Sequence, residues 1–197
     1  MSVEIEPPLF PDLKPRVTRI STNYRPITDV WMLARPKVKY YGAYPNGFLE
    51  RAKPLIGVRR HDPVLHVCGG QAKRYPNKRV MGPSDFTLDL DPETGPDFLQ
   101  DCMAPLPLCG LEPWAGVLID RPYTRTDAAQ YAPGVDAFPD LNRLLRHALQ
   151  IVQSGGKVGV LDYIVPQPPK GTRFVACVGV VVGFNNRIRC FSVFEAE

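Results

Sequence analysis

The sequence predicts an α/β domain built on one mixed sheet, and three observations carry that prediction. Short apolar runs at 63–68, 86–90 and 117–119 each end in glycines or an acid. Buried parallel strands end this way where an open sheet binds its ligands, at the carboxyl edge. Leu141, Leu144, Leu145, Ala148, Leu149 and Val152 recur at helical spacing and lead through Ser154-Gly155-Gly156 into another apolar run. Two β-rich runs, 174–184 and 188–194, flank Asn185-Asn186-Arg187, where asparagine tolerates the positive φ of a hairpin turn.

A chain of 197 residues is one domain by size, with room for a real core. Its 22 prolines are spread along the sequence and imply many stiff loops. No apolar run reaches the roughly 18 residues of a membrane span, and Met1-Ser2-Val3-Glu4 carries no signal-peptide core. Five cysteines without a Cys-x-x-Cys pair suggest reduced thiols and no structural metal. A cytoplasmic protein without membrane attachment is therefore expected. Residues 1–82 hold 15 Lys and Arg against 6 Asp and Glu, a net of +9; residues 83–197 hold 9 against 14, a net of −5. The basic half suits phosphates and the acidic half holds the candidate catalytic carboxylates, although sign segregation on a solvated surface reads the same way.

Taken in order, residues 1–36 form a proline-rich arm with one turn near 29–33, and the main domain runs over 37–197. Phe48, Leu49, Ala52, Leu55 and Ile56 predict a helix after the glycines at 42 and 47. The run Pro63-Val64-Leu65-His66-Val67-Cys68 is a strand stopped by Gly69-Gly70, where the absence of Cβ lets backbone approach a ligand closely. His66 reads either as a ligand contact or as a core histidine. The basic stretch 71–82, broken by Pro76, is a loop that either meets a nucleic-acid backbone or is simply solvated. Phe86, Leu88 and Leu90 alternate as a strand does and deliver Asp89 and Asp91 some twenty residues after the glycines. That is where an acid holds the ribose of a bound nucleotide, because a carboxylate accepts from both hydroxyls. A loop at 124–139 precedes the helix, whose end Gly155 or Gly156 caps, and the last parallel strand is 157–163.

The most informative stretch is Val117-Leu118-Ile119-Asp120-Arg121-Pro122-Tyr123. Asp120-Arg121-Pro122-Tyr123 resembles the Asp-Pro-Pro-Tyr signature of the amino-group DNA methyltransferases, with Arg121 in place of the first proline. These enzymes use S-adenosylmethionine (SAM) to methylate adenine N6 or cytosine N4. The resemblance extends over about 37–197. It implies a Rossmann-like class I methyltransferase fold with a mixed seven-stranded sheet and an antiparallel C-terminal hairpin. Lys39, Tyr41 and Gly42 resemble the element beside the methionine end of the cofactor. His66, Cys68, Gly69 and Gly70 resemble the first SAM motif, with His66 at its acidic position. Asp89 and Leu90 match the ribose position, and Asp101 and Cys102 the adenine contacts.

By the same resemblance Asp120 and the backbone carbonyl of Arg121 accept the two N–H bonds of the target amine, Pro122 completes the catalytic motif, and Tyr123 stacks on a flipped-out base. The expected partner is nucleic acid, with DNA favoured. The chain lacks room for a large target-recognition domain, which suggests loose specificity, a separate specificity partner or a non-duplex substrate. Methylation of RNA or a small molecule, and a methyltransferase-like scaffold without activity, remain the alternatives.

Overall fold

The computed structural model describes residues 25–35, 43–73, 80–131, 138–183 and 187–197. Among them, eight strands form one sheet: β1 (Ile27–Leu33), β2 (Val64–Val67), β3 (Asp85–Asp89), β4 (Phe98–Leu99), β5 (Trp114–Ile119), β6 (Val152–Asp162), β7 (Thr172–Val182) and β8 (Ile188–Ala196). Their spatial order is β1-β7-β8-β6-β5-β2-β3-β4. The strands from β4 to β6 are all parallel, and β8 runs antiparallel to both β6 and β7.

The mixed sheet and C-terminal hairpin agree with expectation, but the sheet has eight strands rather than seven. The additional strand is β1, which pairs parallel with β7 along Ile27–Leu33. The turn expected near 29–33 is therefore strand. Ile27, Val30 and Met32 of this edge strand are solvent-exposed, so no clean alternation marks it. Trp31 holds it to the core, with its ring 6.2 Å from Phe48 and 5.8 Å from Phe191. The boundary proposed at 36/37 and the residues of the hairpin turn at 184–186 fall outside the described residues.

Apolar layers cover the two faces of the sheet. Helix α1 (Phe48–Leu55) buries Phe48, Leu49 and Ala52 on one face, where Ile56, Val64, Val178 and Phe191 join them. Helix α3 (Leu141–Gln150) buries Leu141, Leu144, Leu145 and Ala148 on the other, against Leu65, Val117 and Val158. Leu65 and Val64 go to opposite layers because successive strand side chains alternate. The Asp140 carboxylate accepts from the Arg143 amide at 2.6 Å and starts α3. A short helix α2 (Arg125–Tyr131) lies within the segment expected to be loop.

The glycine cap expected after α3 is also corrected. The helix ends at Gln150, and β6 begins two residues later at Val152. Trp114 pairs with Val152 and Gly116 with Lys157, so β6 carries a bulge over 153–156. Gly155 lies in that bulge at φ 73, a conformation glycine adopts without a Cβ penalty.

Candidate active site

The carboxyl ends of the parallel strands are tied together by a short series of hydrogen bonds. The Asp120 amide, just past β5, donates to the Val67 carbonyl at 3.2 Å. The Gly69 amide donates to Leu88 of β3 at 3.2 Å, and the Gln100 amide, just past β4, to the Asp89 carbonyl at 3.1 Å. The Asp89 carboxylate accepts from the Gly70 amide at 2.8 Å and the Asp91 amide at 3.0 Å. Cys68, Gly69, Gly70, Asp89 and Asp120 thus meet along one edge, although Asp89 and Asp120 are far apart in the chain.

The turn after β2 has an unusual backbone. Cys68 adopts φ 54 and Gly70 φ 49, and a Cβ added at Gly70 would meet nothing within 4 Å. Among the described residues, open space therefore lies over the glycine, whose amide donates to Asp89. At Gly69 a Cβ would stand 3.0 Å from the His66 carbonyl oxygen, so that glycine serves the fold of the turn. The Cys68 thiol is pushed up by its hydrogen bond with Cys102 and by burial. Burial also raises the Asp89 carboxyl, against the backbone donors that hold its charge. Leu90 beside it is exposed.

The Tyr123 hydroxyl donates to Asp120 Oδ1 and accepts from Arg189 Nη1 at 3.1 Å. Burial raises the Asp120 carboxyl to about 6; the Arg189 guanidinium and the Tyr123 hydroxyl oppose that rise. The Tyr123 ring lies 4.5 Å from that of Tyr163. Arg121 turns away from this group. Its Nε lies 2.9 Å from Asp162 Oδ2 at the end of β6, and its Nη1 donates to the Pro139 carbonyl at 3.1 Å. Its guanidinium covers the Phe138 ring at 4.6 Å. The Arg121 side chain therefore neither fills the space beside Asp120 nor reaches outward.

His66 is wholly buried, with Nδ1 3.4 Å from the Tyr44 hydroxyl and Nε2 3.7 Å from Asp85 Oδ1. Asp101 accepts from the Met103 amide at 2.8 Å and so caps its own turn, while Cys102 is buried beside Cys68. Lys39, Tyr41, Gly42 and the basic residues at 74–79 lie outside the described residues.

Two residues of the site escaped the sequence reading. Tyr44 is 2% exposed, stacks on Phe48 at 5.3 Å, and is pushed well up by burial and then by its acidic neighbours, Asp120 first. Tyr44 lies two residues beyond the Lys39, Tyr41 and Gly42 element, but nothing in the sequence singled it out. Arg189 carried no local signal, because it reaches Tyr123 only through the antiparallel course of β8.

No family model and no curated protein matches this sequence. Solved structures do match its fold. TrmN from Thermus thermophilus superposes with a TM-score of 0.54 at 18% identity, over 79% of this chain and 50% of that one. A protein from Streptococcus mutans, provisionally assigned as a SAM-dependent methyltransferase, gives 0.51 at 12% identity, over 78% of this chain and 50% of that one. The N-methyltransferase NodS from Bradyrhizobium japonicum WM9 gives 0.53 at 11% identity, over 77% and 96%. The chain thus has the Rossmann-like fold of class I methyltransferases, and it spans half the length of the first two of these proteins.

Proposed function

We propose that this chain is a SAM-dependent methyltransferase that methylates the exocyclic amine of a nucleic-acid base, with adenine N6 in DNA as the favoured target. The observation that carries this reading is the meeting of Asp120 with the Gly69-Gly70 turn and Asp89 on one sheet edge. The residues suit the cofactor. Asp89 has lone pairs left after its two backbone donors and accepts from ribose hydroxyls. The open side of Gly70 admits a group that a Cβ would obstruct. When bound, SAM supplies an electrophilic methyl on a sulfonium.

The chain's own residues prepare the amine. Its lone pair is delocalised into the ring, and acceptors at both N–H bonds favour the tetrahedral nitrogen that attacks. Asp120 is ionised above about pH 6 and supplies one acceptor; the Arg121 carbonyl supplies the other. Tyr123 holds Asp120 through its hydroxyl and presents its ring to the base. Positioning and electrostatics then provide most of the rate.

Calorimetric titration with SAM, beside an Asp89→Ala variant, tests the cofactor site; labelled methyl transfer to DNA, RNA and free nucleosides tests the reaction. Binding lost in the variant, with transfer to the amine of a DNA base, is the expected result. No binding by the wild type overturns the reading, and transfer only to RNA or nucleosides moves the target class.

A further inference from the structure

The antiparallel hairpin brings the start of β8 to the edge where β5 and β6 end. Asp162 pairs in register with Cys190, so Arg187 and Arg189 emerge beside the Asp120 turn. There they make two matched pairs. Arg189 Nη1 donates to the Tyr123 hydroxyl at 3.1 Å and its guanidinium lies 5.4 Å from that ring. Arg187 Nη1 donates to the Tyr163 hydroxyl at 3.3 Å and its guanidinium lies 5.7 Å from that ring. The two tyrosine rings are 4.5 Å apart and tilted by 48°. The inner pair holds Asp120. The outer pair joins the inner one through the contact of the two tyrosine rings, and its Arg187 is exposed. Ile164 and Val165, which follow Tyr163 directly, are 60% and 40% exposed.

The geometry points to Tyr163 and Arg187 as a second stacking platform, which takes the base and phosphate next to the target nucleotide, so that the substrate is an unpaired nucleic-acid strand rather than a free nucleoside or an intact duplex. An aromatic face, a planar cation and adjoining apolar surface are the combination that binds unpaired bases without reading sequence. A base inside a duplex offers no free face to such a platform. The positive charge of Arg187 serves the phosphate linking the two nucleotides. The inference rests on the assignment of Asp120 and Tyr123 to the target base and adds the neighbouring subsite.

The test uses fluorescence anisotropy with labelled single-stranded DNA, single-stranded RNA and duplex DNA of about 12 nucleotides, alongside SAM calorimetry on the same proteins. Tyr163→Ala and Arg187→Ala are each expected to weaken single-strand binding about tenfold and to leave SAM binding unchanged. Tyr163→Phe, which keeps the ring, is expected to bind close to wild type and guards against loss of folding in the alanine variant. Arg187→Ala is also expected to lower the salt slope by about 0.7. Variants that bind single strands as the wild type does, or a wild type that binds duplex as tightly as single strand, overturn the platform whatever SAM does. Single-strand binding that needs Tyr163 in a protein that binds no SAM leaves the platform standing and overturns the methyltransferase reading instead. The DNA and RNA arms identify which strand is held.

Discussion

Arg121 Nε lies 2.9 Å from Asp162 Oδ2, and both side chains are almost entirely buried. This pair joins the turn after β5 to the end of β6. Where a proline would stiffen the turn through its ring, Arg121 stiffens it through Asp162, the Pro139 carbonyl and the Phe138 face. The isolated carboxyl of Asp162 would be costly, since burial already raises it and the Arg121 charge opposes that rise. Arg121→Ala is expected to destabilise by about 3–5 kcal/mol, because it leaves one buried charge without its partner. Asp162→Asn in the same chain is expected to recover part of that loss. Urea unfolding of the single and double variants measures both.

The Asp120 carboxyl, raised to about 6 by burial, sets an acid limb. Under the proposed function, below that pH it is protonated and a weaker acceptor for the amine, so methyl transfer should rise with pH through about 6 and then level. Arg189 opposes the rise, so Arg189→Met should move the limb upward. The same shift has a stability cost of opposite sign. The folded state binds this proton more tightly than the unfolded chain, so stability falls as pH climbs from the ordinary carboxylate range to about 6. Asp120→Asn escapes that fall. It is expected to slow transfer and flatten its acid limb, because the neutral amide oxygen is a weaker acceptor that does not titrate, and to raise the melting temperature at pH 7, with the gain vanishing in acid. A wild-type profile flat across pH 5–7 would contradict this role for Asp120.

Much of this arrangement was legible because it is local. The strand ends at Gly69-Gly70, Asp89 and Asp120 are marked by apolar runs meeting polar or glycine residues, and α1 and α3 by spacing on one face. What escaped depends on partners distant in sequence. β1 is strand because β7 offers it an edge, and its exposed Val30 and Met32 hide the alternation. Val152 shares the helical spacing of α3, yet pairing with Trp114 draws it into β6. Arg189 reaches Tyr123 across 66 residues, and Tyr44 belongs to the site through Asp120, Asp85 and Asp89, which are distant from it in sequence.

Lys53 and Asp85 form a second buried ion pair, at 2.7 Å, under the α1 layer. Asp85 also faces His66, and burial, which raises its carboxyl, is outweighed by His66, Lys53 and the Gly82 amide, which lower it. A lowered carboxyl contributes stability above its unfolded range and loses it as pH falls through the folded one. Lys53→Met should therefore cost about 3–5 kcal/mol near neutral pH. The cost should shrink in acid, where Asp85 takes a proton. Thermal melts at pH 7 and pH 3 distinguish this from a simple packing defect, which would not depend on pH.

Two glycines should fail in different ways when given a methyl group. Gly159 lies in β6 between β5 and β8, and a Cβ there would stand 2.7 Å from the Phe191 ring and 2.8 Å from Leu118 Cδ2. Neither neighbour is at the surface, so Gly159→Ala overpacks the core and should cost about 1–3 kcal/mol. It should leave SAM affinity close to wild type in the fraction that stays folded. At Gly70 a Cβ meets nothing within 4 Å, and the penalty comes from φ 49 alone, about 1–2 kcal/mol for a residue with a Cβ. The added methyl would instead occupy the open ground over this turn, which the proposed function gives to the cofactor. Gly70→Ala should therefore lower SAM affinity by more than its unfolding penalty accounts for. Calorimetry and urea unfolding on both variants separate the two effects. Equal SAM affinity in wild type and Gly70→Ala would place the cofactor elsewhere on the sheet edge.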